Sequence, residues 1–302
     1  MANPDEEIEE NEGKDRNVAL SVFIDSLFLF TCGGIIPVVW RNMKVVRQGF
    51  FCDDENIMYP AKHSSITNAM LWGFCVSAPL SIICITELVR KFTVNEHEVK
   101  KIFFFRFEVP FVIQQIYIFG GIFLYGLIIT ELPTDFIKSL VGRLRPNFLE
   151  LCKPNFNCSS VGNPHYYVGE YNCTNPHLRS EMFIRTSFPS GHTSLASYAM
   201  LYTVFYLAKK VTLSRYSVLA KPLLLGMLLM PSGYVSFSRI SENWHHWDDV
   251  LGGFLIAFFV CIYCIFCMTD LYVKKNPTHP NMDNVLSEIP HVHEETRKTA
   301  IV

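Results

Sequence analysis

The sequence predicts an all-α bundle of helices set in a lipid bilayer, and three observations carry that reading. Half of the 302 residues are hydrophobic, 25 residues are Phe, and only 18% are charged. Mean hydropathy is +0.21, too apolar for a water-soluble domain of this length. The apolar residues are also gathered into runs close to the ~20 residues a helix requires to cross a bilayer.

Six such runs follow one another, at residues 17–39, 66–89, 109–130, 192–208, 218–237 and 250–273. The fourth is short, with room to extend at either end. No internal repeat, heptad seam or low-complexity block interrupts them. Residues 17–274 therefore read as one six-span domain between polar tails at 1–16 and 275–302. The first tail is acidic and polar, unlike a signal or transit peptide. The second, with Pro277, Pro280 and Pro290, reads as disordered. Its final Ala300-Ile301-Val302 is a weak match to termini docked by carboxylate-binding modules.

Orientation follows from the cations. Fifteen of the 26 Lys and Arg residues fall in the two tails and the loops after the second and fourth spans. An even number of spans places those four segments together, so the positive-inside rule predicts both termini in the cytoplasm. Six of the other eleven lie in one long loop between the third and fourth spans. That loop also carries two sequons, at Asn157 and Asn172, in agreement with an outward position. The same assignment places Cys52, Cys152, Cys158 and Cys173 outside, where disulfides form; their three pairings stay open. The remaining six cysteines lie in spans as small hydrophobes, with Cys261, Cys264 and Cys267 along one helical face. Asp25 and Glu87 fall within spans, where an acid is costly unless paired, and read as struts between helices. A net charge of −2 says nothing about partners, and no basic run or aromatic–basic ladder points to nucleic acid, so none is expected.

Three segments carry chemistry. Ser187-Phe188-Pro189-Ser190-Gly191-His192 opens the fourth run. Pro189 suits the first helical position, and Ser190 and Gly191 leave N–H groups free at a helix end that attracts anions. His192 is the titratable group against that anion. Lys138 and Arg145-Pro146 follow the third run; alone they read as interfacial cations, as Arg143 does. After the fifth run come Ser238, Arg239, His245, His246, Asp248 and Asp249. His245 and Asp249, four apart, share a helix face, so the carboxylate can accept Nδ1–H and leave Nε2 nucleophilic. His246 and Asp248 fall on other faces. Three cations, an anion-binding helix start and two His fit phosphoryl transfer, which needs positioning and charge neutralisation. With no P-loop and no carboxylate cluster for Mg²⁺, no metal or other cofactor is expected.

The pattern Lys-x₆-Arg-Pro, Pro-Ser-Gly-His and Ser-Arg-x₅-His-x₃-Asp resembles the signature of the type 2 phosphatidic acid phosphatase superfamily. Residues Gly49 to Pro60 further resemble the first outer loop of its membrane lipid phosphate phosphatases. The resemblance runs from about Asn17 to Lys275. It implies that His245 attacks phosphorus, Asp249 orients it and His192 protonates the leaving alkoxide. It implies phosphate binding by Lys138, Arg145, Ser190, Gly191 and Arg239. The implied partners are phosphatidate, lysophosphatidate, sphingosine 1-phosphate or ceramide 1-phosphate within the membrane bilayer. By subfamily analogy the chain is a homo-oligomer at the cell surface, with ER or Golgi as the other membranes.

Four other readings compete. A metal-dependent hydrolase would use His245, His246, Asp248 and Asp249, but adjacent His and adjacent Asp do not all face one ion on a helix. A catalytically silent lipid-binding or scaffolding protein would lack Lys138, His192 or His245. A transporter rests only on Asp25 and Glu87. A phosphocholine transferase would share the His and Asp but lack the full Lys-x₆-Arg-Pro element.

Overall fold

The computed structural model describes residues 19–35, 38, 42, 44–92, 103–104, 107–178, 180–211, 217–269 and 271–272. The tails 1–16 and 275–302, and much of the basic loops 90–107 and 209–217, lie outside them. The helices are α1 (Ala19–Ile35), α2 (Asn68–Lys91), α3 (Phe111–Val141), α4 (Phe148–Cys152), α5 (Glu181–Ile184), α6 (Gly191–Lys210), α7 (Ala220–Ser241) and α8 (Trp247–Ile262). A π-helical turn continues α8 to Cys267. Two short antiparallel pairs complete the chain: β1 (Phe50–Phe51) with β4 (Tyr167–Val168), and β2 (Phe103–Phe104) with β3 (Phe107–Glu108).

Among the described residues, four helices are long and apolar enough to cross a membrane: α2, α3, α7 and α8 with its continuation. The architecture is mostly helical and multi-pass. α1 is shorter and α6 is not among the four, so six spans do not follow from helix length and hydropathy alone. The reason for α6 is its place in the bundle. It packs against α2, α3, α7 and α8 and buries Ser194, Ser197, Thr203 and three Tyr among its apolar residues. A helix covered by other helices needs no apolar face toward lipid. Large apolar side chains face outward on the periphery instead, such as Phe237 and Phe259.

The three tyrosines, one per turn, join α6 to its neighbours. Tyr198 Oη donates to the Phe123 carbonyl at 3.2 Å, Tyr202 Oη to the Phe119 carbonyl at 2.8 Å, and Tyr206 Oη to Glu87 Oε1 at 2.7 Å. Glu87 also meets Arg90 at 2.8 Å and Lys210 at 3.3 Å. Asp25 accepts from Tyr117 Oη at 2.6 Å. Both acids thus tie one helix to another, the pairing that an acid on an apolar helix would need in hydrocarbon.

α3 passes residue 130, where its apolar run ends, and continues to Val141. Its polar last turns do not mark a boundary, because Glu131, Thr134, Asp135 and Ser139 are buried against protein. What ends α3 is Gly142, left-handed at φ 63°, whose N–H returns to the Lys138 carbonyl. A Cβ there would also strike the Val46 carbonyl. Lys138 therefore sits on a helix rather than in a loop.

Beyond that end of the bundle the connecting loops form a small cap with its own core of Phe50, Ile57, Leu144, Phe148, Tyr171 and Ile184. Disulfides Cys52–Cys158 and Cys152–Cys173 pin it, choosing among the three open pairings. The middle cysteines of both sequons are thus bridged, while Asn157 and Asn172 stay exposed.

Candidate active site

Five helix ends meet under the cap: the C-termini of α3 and α7 and the N-termini of α2, α6 and α8. Between them lies a cavity of about 280 Å³, lined by Lys138, Arg145, Gly191, His192, Arg239 and His245. Ser64, Ile66, Thr67, Asn68, Phe183, Thr186 and Trp244 complete its wall.

Each of the three cations is held differently. Lys138 Nζ, at the end of α3, lies 3.1 Å from Asp135 Oδ1, one turn back. It comes so close to α6 that a Cβ on residue 191 would meet Nζ at 2.7 Å and move it. Arg239, at the end of α7, donates from Nη2 to Glu242 Oε2 at 2.7 Å and from Nη1 to Ser64 Oγ at 2.9 Å. Arg145 has no carboxylate at ion-pair distance among the described residues. It is 6% exposed. Backbone carbonyls hold it, Phe183 at 2.7 Å from Nε and Trp244 at 3.1 Å from Nη1. The Phe183 ring covers its guanidinium at 4.0 Å. Burial pulls Arg145 down to about 9, against the opposing pull of Asp249. It is the least compensated positive charge facing the cavity.

His245 is 3% exposed. Its Nδ1 lies 2.7 Å from the Ser187 carbonyl, and its Nε2 lies 3.5 Å from Arg145 Nη1. A carbonyl only accepts and a guanidinium only donates, so both neighbours require the Nδ1–H tautomer with the Nε2 lone pair facing the cavity. Burial, reinforced by Arg145, pushes the imidazole down to about 4, so it is neutral at physiological pH.

Asp249 stands elsewhere than its four-residue spacing from His245 predicts. Its Oδ2 is 3.7 Å from His245 Nδ1, beyond hydrogen-bond range. Its oxygens accept instead from Ser187 Oγ at 2.6 Å, His246 N at 2.8 Å and Arg143 Nη1 at 2.8 Å. His245 precedes α8, whose cap is His246, so the two residues do not share a helix face. Asp249 caps α8 and holds Ser187, and it is Ser187 that holds His245. His246 also turns inward, its Nδ1 3.1 Å from Asp249 Oδ2.

Ser190 and Pro189 are likewise displaced from expectation. Ser190 is the N-cap of α6, with Pro189 one residue before it after a cis bond, so proline is not the first helical residue. Ser190 is fully buried, gives its N–H to the Asp249 carbonyl at 2.9 Å and takes Thr193 Oγ1 at 3.2 Å. It stands behind the cavity, and Gly191 and His192 face it. His192 Nε2 is buried without a partner, and the Ile66 backbone lies within hydrogen-bonding reach of the ring.

Arg143 is not an interfacial cation. Gly142 turns the chain so that Arg143 Nη1 meets Asp248 Oδ2 at 2.6 Å and Asp249 Oδ1 at 2.8 Å. The carboxylates at the start of α8 attract it more strongly than the membrane boundary does. The structure also brings one ligand atom each from His246, Asp248 and Asp249 within 4.8 Å of one another, nearer than helical spacing predicts. The Arg143 guanidinium lies against both carboxylates of that cluster.

Several residues of the site carried little signal in the sequence. Asp135 and Glu242 sit three residues from Lys138 and Arg239, a helical spacing that could have marked them. Ser64 and Trp244 come from separate loops and Phe183 from the short α5, and none carried a signal.

Residues 119–272 match the PAP2 superfamily model. The chain is 30% identical over 290 residues to a Drosophila melanogaster protein named "Putative phosphatidate phosphatase", covering 91% of this chain and 75% of that one. It is 29% identical over 270 residues to Phospholipid phosphatase 2 of Homo sapiens, covering 89% and 90%. It is 30% identical over 246 residues to the Rattus norvegicus protein of the same name, covering 80% and 83%. No solved structure matches. With its signature segments converging on one cavity inside the matched region, the chain belongs to the PAP2 superfamily and is a phosphatase.

Proposed function

We propose that this protein is a lipid phosphate phosphohydrolase that works without a metal, through a phosphohistidine. His245 Nε2 attacks phosphorus, forming the P–N bond as the P–O bond to the lipid breaks. His192 gives its proton to the leaving alkoxide. Water then attacks the phosphohistidine, returning a proton to His192 and releasing inorganic phosphate. Lys138, Arg145, Arg239 and the Gly191 N–H hold the phosphate oxygens, and Asp249 orients His245 through Ser187. The observation that carries this reading is the one cavity shared by His192, His245 and the three cations.

The cavity volume, about 280 Å³, suits a phosphate with its adjoining backbone and leaves acyl chains outside in lipid. That favours phosphomonoester lipids: phosphatidate, lysophosphatidate, sphingosine 1-phosphate or ceramide 1-phosphate. The relatives' names support the first. In the proposed topology α1 and α6 also span, both termini are cytoplasmic, and the site opens outward or to a lumen, most simply at the cell surface. Two disulfides and exposed sequons at Asn157 and Asn172 support that side.

The test is phosphate release from phosphatidate in detergent micelles with excess EDTA, comparing wild type with His245→Ala. Turnover that vanishes in the variant supports the mechanism. Turnover that requires added metal overturns it in favour of the His246, Asp248, Asp249 cluster. No turnover on any phospholipid, from a folded protein, favours a silent lipid-binding role.

A further inference from the structure

The first outer loop does more than roof the cavity. Its chain from Tyr59 to Thr67 runs along the segment that joins α7 to α8. Lys62 Nζ donates to the Ser241 carbonyl at 2.7 Å, and Asn243 Nδ2 to the Pro60 carbonyl at 2.9 Å. Between these two contacts stands Glu242, 14% exposed at its side chain. One carboxylate oxygen, Oε2, accepts from Arg239 Nη2 at 2.7 Å. The other, Oε1, accepts from the Ser65 backbone N–H at 3.2 Å. The neighbouring Ser64 hydroxyl accepts from Arg239 Nη1 at 2.9 Å and donates to the Ile66 carbonyl at 2.9 Å. Ile66 in turn lies against the His192 ring.

We propose that Glu242 is a positioning residue: it fixes the Arg239 guanidinium and, through Ser64 and Ser65, the loop that faces His192. The inference rests on the proposed phosphohydrolase reading and extends it to a residue outside the three signature segments. The physical case is one of competing demands on one side chain. An arginine with several rotatable bonds, near two other cations, is pushed away from them and from the place where phosphate must sit. A carboxylate one turn along the same helix end removes that repulsion and fixes the fork. Because the same carboxylate also takes a backbone N–H of the loop, cation and loop move as one unit. A second carboxylate, Asp135, meets Lys138, but among the described residues it takes no loop N–H. Glu242 alone of the two connects cradle and roof.

The test compares Glu242→Gln, Glu242→Asp and wild type, reading kcat and KM in EDTA and, in metal-depleted buffer without chelator (EDTA would complex vanadate), inhibition by orthovanadate, which mimics phosphorus in its five-coordinate state. Glutamine keeps the shape and can still accept from Ser65, but it removes the charge opposite Arg239. The expected result is a fall of about tenfold in kcat/KM with an equal rise in the vanadate inhibition constant, largely restored by Asp. A residue that only supports the fold would lower the amount of active protein and leave the vanadate constant unchanged. Wild-type turnover with a vanadate constant unmoved by Glu242→Gln overturns the inference and leaves the phosphohydrolase reading standing. A wild type without EDTA-resistant turnover overturns both.

Discussion

The Nδ1 of His245 lies 2.7 Å from the backbone carbonyl of Ser187, and the Ser187 hydroxyl lies 2.6 Å from Asp249. The hydrogen bonds between the acid and the imidazole thus run through a serine, while their direct approach, 3.7 Å, is longer than a hydrogen bond. A backbone carbonyl fixes the tautomer whatever the charge state of the acid, and this bears on how each group responds to substitution.

Asp249→Asn should therefore slow turnover less than loss of His245. An outer partner of a reactive group typically contributes 10–100-fold. We expect a kcat reduction in that range, a KM within about twofold of wild type, and phosphoenzyme still trapped on acid quenching with labelled substrate. An Asn variant as dead as His245→Ala would mean that Asp249 acts on the imidazole directly.

Arg143→Ala should act on stability and kcat rather than on substrate affinity. Arg143 does not line the cavity, but it is the cation on Asp249, which is fully buried. Stranding one member of a buried pair costs ~3–5 kcal/mol, and the one-third exposure of Arg143 reduces that to about 2 kcal/mol here. Thermal unfolding in detergent should show the loss, and KM for phosphatidate should barely move.

The pH profile should have a low acid limb. An ordinary imidazole protonates near 6.5, whereas burial and Arg145 hold His245 down at about 4. As pH falls through 6.5 the nucleophile stays neutral in the folded protein and becomes charged only near the lower value. The unfolded chain binds that proton earlier, so folding stability declines as pH falls from about 6.5 toward about 4. The limb of kcat/KM assigned to the enzyme, once the substrate's own second ionisation is accounted for, should lie below pH 5. A limb at 6.5 would refute the neutral, buried state.

Removing the Cys52–Cys158 bridge by a double Cys→Ser substitution should lower both stability and activity. The bridge spans 106 residues and ties the loop between α1 and α2 to the long loop of the cap. Closing a loop of that length contributes on the order of a few kcal/mol. Activity should fall because the same loop carries Ser64, the acceptor for Arg239. A variant with a lower unfolding temperature but unchanged kcat/KM at low temperature would separate the loop from the chemistry.

The helical, membrane-spanning character was legible because apolar runs and charge bias are local properties of the chain. The runs at 66–89 and 218–237 correspond closely to α2 and α7. The run at 109–130 understated α3, since burial against protein, not hydropathy, governs its polar end. Likewise α6 is central to the bundle although its composition is the least membrane-like of the long helices.

By itself the sequence determined which residue types stand near which span ends: a lysine after the third run, Gly-His opening the fourth, an arginine after the fifth and two acids just before the sixth. Spacing along one helix and the cost of charge in lipid suffice for that. Only the tertiary structure decided which group holds which. Arg143 reaches α8 because Gly142 adopts a left-handed turn, His245 leans on Ser187 because it precedes the helix cap, and Ser64 meets Arg239 across 175 residues. Those partners depend on how chain-distant segments pack around a common cavity, and no local pattern encodes such a meeting.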